Sequence, residues 1–341
     1  MSNRLRAALI NSAIVAVSVL VALFIVEVGY RVWTYGSPSN GWALRQIFAN
    51  VDGYAHQLCV SEKKRKVDVT EPSAREKGIQ STKVTFCHYL DSYTFVSSVD
   101  REGRRLARPD PTVRKAGKKI WIFGDSWVFG WGVNDDQTFP WLLQQSLPNV
   151  EVTNFALNGG SSVNELIELR KAIASGEKPD IAILVTPSYF LERNVLDLNW
   201  LRQVSGTAEV SRAYIGIGNA LKIDKVKLPQ WNYQCSSECG SLIYPIEYEQ
   251  AVALKILEEA WGLLQNSGAR GIVARSLGGT NDPVTIGAKR IGFDIVDMAR
   301  EHAGEPLTLD PFDSHPNAKV QRYFHDALLK ELAPLLNAPR K

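Results

Sequence analysis

From residue 118 onward the chain alternates short apolar runs with amphipathic stretches, and no other feature constrains its fold as much. Residues 119–124, 150–155, 180–186 and 270–274 are rich in Ile, Val and aromatic side chains and read as buried strands. Between them, residues 139–147, 163–174 and 248–265 place apolar side chains three and four apart. In the last of these the stripe is Ala251, Leu254, Leu257, Ala260, Trp261 and Leu264. A closing helix is expected over 317–332, with Val320, Phe324, Ala327, Leu328 and Leu332 on one face and an end at Pro334. Buried strands alternating with such helices make βαβ units, hence a parallel sheet with helices on both faces and a ligand site beyond the carboxyl ends of the strands. Residues 200–245 carry Gly, Ser and two cysteines without this pattern and read as an insertion over that edge.

A chain of 341 residues has room for two domains on length alone, but the pattern supports one core, over 118–341. With 39 Lys and Arg against 36 Asp and Glu, the net charge is +3. That balance argues against a protein that coats nucleic acid.

The N-terminus brings a second constraint. Residues 7–26 carry no charge, and 20 residues at about 1.5 Å each give about 30 Å of helix, the thickness of a hydrocarbon core. The expectation is therefore a single transmembrane helix within residues 1–30, uncleaved because no small-x-small site follows it. Tyr30 and Trp33 would sit at the far interface, and Arg4 and Arg6 lean toward a cytoplasmic N-terminus. Residues 31–117 follow as a stalk or cap dense in charge, from Lys63-Lys64-Arg65-Lys66 to Arg101, Arg104, Arg105, Arg108, Arg114 and Lys115. Such a cluster is read first as a solvated face.

All four cysteines, Cys59, Cys87, Cys235 and Cys239, lie beyond the apolar run. Two disulfides in an oxidising compartment would account for them, with the pairing open. A zinc site is the weaker alternative, since only Cys235 and Cys239 form a tight pair.

Two segments could carry chemistry. Gly124-Asp125-Ser126 places a serine just after a strand and a glycine turn, at the start of a helix, where its hydroxyl is exposed and its own N–H can face a developing oxyanion. Taken alone, the tripeptide is read first as a turn whose Asp and Ser cap the next helix. A serine nucleophile needs a base. Of the five histidines, His56, His88, His302, His315 and His325, His315 has an aspartate two residues before it and a second five before it, in Asp310-Pro-Phe-Asp313-Ser-His315-Pro-Asn317. An acid two residues before it could orient the ring, on a turn feeding the last helix.

Together these segments resemble the SGNH hydrolases, the GDSL esterase family, over roughly residues 118–333. The first family block appears as Phe123-Gly-Asp-Ser-Trp-Val-Phe-Gly130-Trp-Gly-Val and continues into Asp135-Asp-Gln-Thr-Phe-Pro140. The second appears as Asn154-Phe-Ala-Leu-Asn-Gly159-Gly, and the last as Asp313-Ser-His315-Pro-Asn. The third block, Gly-x-Asn-Asp, is absent from its place, where the chain reads Thr186-Pro-Ser-Tyr-Phe-Leu-Glu-Arg-Asn194. Ser188, Tyr189 and Asn194 are the nearby residues that could replace its oxyanion-binding Asn.

The resemblance implies an α/β, three-layer flavodoxin-like sandwich. It also implies acyl transfer with Ser126 as nucleophile, His315 as base, Asp313 as its orienting acid, and the Ser126 and Gly159 amides as oxyanion hole, with no metal or cofactor. The expected activity is that of an esterase or O-acyltransferase on an ester, an O-acetyl group foremost, of an acylated polysaccharide or lipid-linked glycan. A bacterial inner membrane with the domain facing the periplasm is the expected setting, and a membrane acyltransferase is a conceivable partner. A catalytically weak glycan-binding or scaffold protein of the envelope that retains the fold is the alternative.

Overall fold

The computed structural model describes residues 18–19, 21–23, 25–26, 64–88, 91–112, 117–201, 209–227, 243–277, 280–299 and 307–337. The chain divides into two compact units, Met1–Val67 with Val84–Thr94, and Asp68–Lys83 with Phe95–Lys341.

The first elements are β1 (Lys64–Asp68), α1 (Pro72–Glu76), β2 (Gln80–His88) and β3 (Asp91–Val99), the three strands forming a sheet in that order. In the first unit the Lys64 ammonium lies 5.8 Å from the centre of the Phe86 ring, and the Thr85 and Thr94 hydroxyls are 3.0 Å apart. Cys87, on β2, is disulfide-bonded. The other three cysteines, Cys59, Cys235 and Cys239, lie outside the described residues, and the pairing with them.

In the second unit the chain continues through β4 (Lys119–Phe123), α2 (Ser126–Phe129), α3 (Phe139–Ser146), β5 (Glu151–Asn154), α4 (Ser162–Ala174), β6 (Ile181–Val185), α5 (Phe190–Val195) and α6 (Leu198–Leu201). An antiparallel pair, β7 (Glu209–Ile215) with β8 (Leu221–Lys227), occupies the inserted segment. Then come α7 (Ile246–Ser267), β9 (Arg270–Arg275), α8 (Pro283–Ile291), β10 (Asp294–Asp297), β11 (Thr308–Leu309), β12 (Asp313–Pro316) and α9 (Ala318–Asn337).

The central sheet is parallel, in the order β10-β9-β6-β4-β5. Counted along this sheet alone, that is the 2-1-3-4-5 order of flavodoxin-like folds, whose switch point lies between β4 and β6. The period of two along each strand explains why both faces need helices. On β4, Ile120 and Ile122 join one core while Trp121 and Phe123 join the other, and all four are essentially inaccessible. The first core is closed by Phe139 and Leu143 of α3 and by Val320, Phe324, Leu328 and Leu332 of α9, spaced four apart on one helix face. The second is closed by Val163, Leu166 and Leu169 of α4, by α7, and by Val284 and Ala288 of α8. Phe123 stacks on Phe155 at 4.9 Å, and Trp121 tilts against the same ring at 5.2 Å. Ala213 and Ile215 of β7 pack onto this second core.

The expected transmembrane helix is not found among the described residues. No helix among the described residues is long and apolar enough to cross a membrane. Of the run 7–26, only positions 18, 19, 21–23, 25 and 26 are described, all helical and exposed. The rest of the run, with Arg4, Arg6, Tyr30 and Trp33, lies outside the described residues.

Two smaller expectations are also corrected. His315 sits not on a turn but in β12, which pairs antiparallel with β11. The last helix runs past Pro334 to Asn337. Proline removes one N–H but leaves the carbonyls after it, and the Lys118 ammonium is 2.7 Å from the Leu336 carbonyl at that helix end.

Candidate active site

Three connections converge at the carboxyl end of β4. The chain leaves β4 through Gly124, where a Cβ would stand 2.2 Å from Val128 Cγ2, so only glycine lets the strand pass so tightly into α2. Asp125 then caps α2, its Oδ1 accepting from the Trp127 amide at 3.0 Å. The capping reading of this tripeptide therefore holds for Asp125 alone, and Ser126 is the first helical residue. The helix is a single turn, closed by Gly130 in the left-handed region.

The Ser126 hydroxyl lies 2.8 Å from His315 Nε2, across 189 residues of sequence. His315 Nδ1 meets Asp313 Oδ1, which also accepts from the His315 backbone N–H at 2.9 Å. Ser126, His315 and Asp313 therefore form one hydrogen-bonded line, the geometry a general base needs to take a hydroxyl proton. Burial acts to raise the Asp313 pKa. The hydrogen bonds from the His315 side chain and backbone, with a further one from the Trp131 indole, outweigh it and hold the carboxyl below its ordinary value.

The second turn, after β5, supplies Gly159. Its φ of +76° is a conformation side chains resist, and nothing lies within 4 Å of where its Cβ would be. Asn154 holds this turn in place, accepting from the Ala156 amide at 3.0 Å and donating to the Val128 carbonyl at 3.1 Å. The Leu157 amide bonds the Gly124 carbonyl at 3.0 Å, which brings the turn beside the serine. Among the described residues the amides of Ser126 and Gly159 donate to no protein acceptor. Both remain available to an oxyanion.

The third turn, after β6, carries the residues that stand in place of the missing block. Ser188 is exposed, and its side chain makes no hydrogen bond to the serine. Asn194 is wholly buried and faces α4, its Oδ1 accepting from the Val163 amide at 3.3 Å. Neither is brought to the Ser126–His315 pair. Instead, the Tyr189 hydroxyl donates to Asp125 Oδ2 at 2.6 Å, and Arg193 Nη1 donates to the same oxygen at 3.1 Å and to the Gly160 carbonyl at 3.0 Å. The guanidinium stacks over the Tyr189 ring at 4.4 Å. Burial raises the Asp125 pKa against the bonds from Tyr189 and Trp127 and the Arg193 charge, and burial beside Asp125 raises the Tyr189 phenol.

Sequence reading missed Arg193, Trp131 and two further braces. Gln321 of α9 is inaccessible; it accepts from the Phe139 amide at 3.0 Å and donates to the Trp127 carbonyl at 2.8 Å. Arg105, assigned to a solvated face, is 1% exposed and donates to the Val133 carbonyl at 2.8 Å, its Nε lying 2.7 Å from Asp135. The only sequence signal was position: Trp131 falls within the first block, and Arg193 within the segment 186–194 that stands where the third block is missing.

A second Ser-His-Asp line shows what else a site needs. His325 Nε2 is 2.9 Å from the Ser146 hydroxyl and its Nδ1 2.8 Å from Asp326. Ser146, however, is the last residue of α3, where the unpaired backbone groups are carbonyls rather than amides. A developing oxyanion would be repelled there and received at Ser126.

No protein-family model and no curated protein matches the chain. Among solved structures, it is similar to a member of the lipolytic G-D-S-L family from Veillonella parvula, with 13% identity, TM-score 0.38, and coverage of 63% of this chain and 98% of that one. An acetyl xylan esterase from Geobacillus stearothermophilus aligns at 15% identity and TM-score 0.38, covering 67% and 99%. The response regulator domain of Thermotoga maritima CheB aligns at 13% identity and TM-score 0.27, covering 65% and 98%. At these values the likeness is one of outline, and the activities of those proteins are their own. In architecture, the five-stranded parallel sheet with a serine at the switch point is consistent with the SGNH fold.

Proposed function

We propose that this chain is a serine hydrolase of the SGNH type, acting on esters through an acyl-enzyme at Ser126. The observation that carries this reading is the 2.8 Å contact between Ser126 Oγ and His315 Nε2 with Asp313 on the other ring nitrogen. As Ser126 Oγ bonds to the ester carbonyl carbon, its proton passes to His315 Nε2, and the carbonyl oxygen becomes an anion received by the Ser126 and Gly159 amides. Collapse breaks the bond to the leaving alcohol, which takes the proton from His315. Water then attacks the acyl-enzyme by the reverse path and frees the acid. Asp313 stays ionised throughout and stabilises the imidazolium.

The finer reading is a small acyl group, such as acetyl, on a hydroxylated polymer such as a glycan. What supports it is the depression of about 570 Å³ beside Asp313, where Thr308, Asp310 and Ser314 share the lining with Leu307, Pro311 and Phe312. Those three polar side chains could hydrogen-bond the hydroxyl groups of such a polymer. A sugar hydroxyl in place of water would make the same site an O-acyltransferase.

The test is hydrolysis of p-nitrophenyl acetate by the whole chain and by Ser126→Ala. Release of p-nitrophenol should drop to background in the variant, whereas equal rates would remove the serine from the mechanism.

A further inference from the structure

Arg193 presents an unusual pair of contacts. One nitrogen, Nη1, lies 3.1 Å from Asp125 Oδ2 and 3.0 Å from the Gly160 carbonyl. Asp125 immediately precedes Ser126, and Gly160 immediately follows Gly159. The two N–H groups that would bind an oxyanion thus come from separate turns, and a single guanidinium nitrogen spans the residues next to each. The tie is specific. Tyr189 orients the same Asp125 oxygen from 2.6 Å and underlies the guanidinium at 4.4 Å, so Arg193 is held by a hydrogen-bonded acid on one side and a ring face on the other.

We propose that Arg193 is a positioning residue that sets the spacing of the Ser126 and Gly159 amides, replacing by geometry what the missing third-block Asn would supply as a donor. This rests on the serine-hydrolase reading above. Arg193 need not touch substrate. It fixes the Gly159–Gly160 turn against the Asp125–Ser126 turn, so the two amides meet the oxyanion without rearranging when charge develops. Its loss should therefore weaken binding of the transition state far more than binding of the ester.

The experiment compares wild type, Arg193→Met and Arg193→Lys in p-nitrophenyl acetate hydrolysis and in the rate of covalent labelling by a fluorophosphonate, whose P–O group occupies the oxyanion position. Displacing a reacting group by about 1 Å can cost about 10²-fold, so Arg193→Met should lose about that factor in kcat with KM within about threefold, and label proportionately more slowly. Arg193→Lys, which keeps the charge and can reach one of the two acceptors, should fall between the two. Melting temperatures report whether each variant folds, and if Arg193→Met does not, the Lys variant alone must still show the kcat loss. If Arg193→Met is labelled as fast as wild type, or loses only KM, the proposal is overturned while the hydrolase reading stands. If wild type itself is not labelled at Ser126, the hydrolase reading falls and this proposal with it.

Discussion

The indole of Trp131 donates a hydrogen bond to the carboxylate of Asp313. That places a residue of the first motif, five positions after Ser126, against the acid that orients the base for that serine. This bond is the weakest hold on the half-buried acid, after the bonds and the charge of His315, and solvent screening keeps it to the low end of the range of about 1.5–3 kcal/mol for a hydrogen bond to a charged group. Trp131→Phe keeps a ring in edge contact with Phe95, now 5.4 Å away, but removes the donor. The expected result is a roughly 10-fold fall in kcat with little change in KM, since the loss acts on the imidazolium that forms only in the transition state. Steady-state kinetics on the purified variant check this, and an unchanged kcat would make the Trp131 contact incidental.

Two glycines of the site should respond to Ala for different reasons. At Gly124 the added methyl would meet Val128 Cγ2 at 2.2 Å and must push α2, with Ser126, away from the sheet. Overpacking of this kind costs about 1–3 kcal/mol, and activity should fall with stability. The double variant Gly124→Ala, Val128→Ala removes the opposing methyl groups and should recover part of both. At Gly159 there is open space, so the cost is the left-handed backbone alone, about 1–2 kcal/mol. A companion substitution at Val128 should give no recovery there. Thermal melts and esterase rates of the four variants distinguish the two cases.

Much of this site is visible in the sequence, because the strands that hold it are buried on both faces. Such strands leave continuous apolar runs: residues 119–123 and 181–185 stand out for that reason, and so does the glycine that ends the first of them. The edge strand Asp294–Asp297 and the short pair Thr308–Leu309 and Asp313–Pro316 have too few buried positions to leave a pattern. The strands at 80–99 do alternate, with Val84 and Phe86 buried between polar neighbours, but the surrounding density of Lys and Arg conceals the period. Arg193 was illegible for another reason. Its partners lie 68 and 33 residues away, so its role exists only once three separate strand-end turns are brought together.

A buried acid cluster away from the triad predicts how stability should vary with pH. Burial first, then the charges of Asp197 and Glu192, raise the Glu249 carboxyl to about 7. A carboxyl raised in the folded state favours the unfolded chain once that chain ionises. Stability should therefore fall as pH rises from about 4.5, the ordinary value, to about 7, and level off above it. Glu249→Gln should raise the melting temperature at pH 8 and leave it nearly unchanged at pH 4. An equal shift at both values would show that the carboxyl is not held protonated by the fold.

The central claim is that Ser126 is the nucleophile and that His315 activates it. Its most direct test is intact-mass and peptide mass spectrometry after brief exposure to a fluorophosphonate, for wild type, Ser126→Ala and His315→Ala. The structure predicts one adduct per wild-type chain, located on Ser126, absent from Ser126→Ala and formed far more slowly in His315→Ala. An adduct that persists in Ser126→Ala, or forms at Ser146 beside His325, would contradict it.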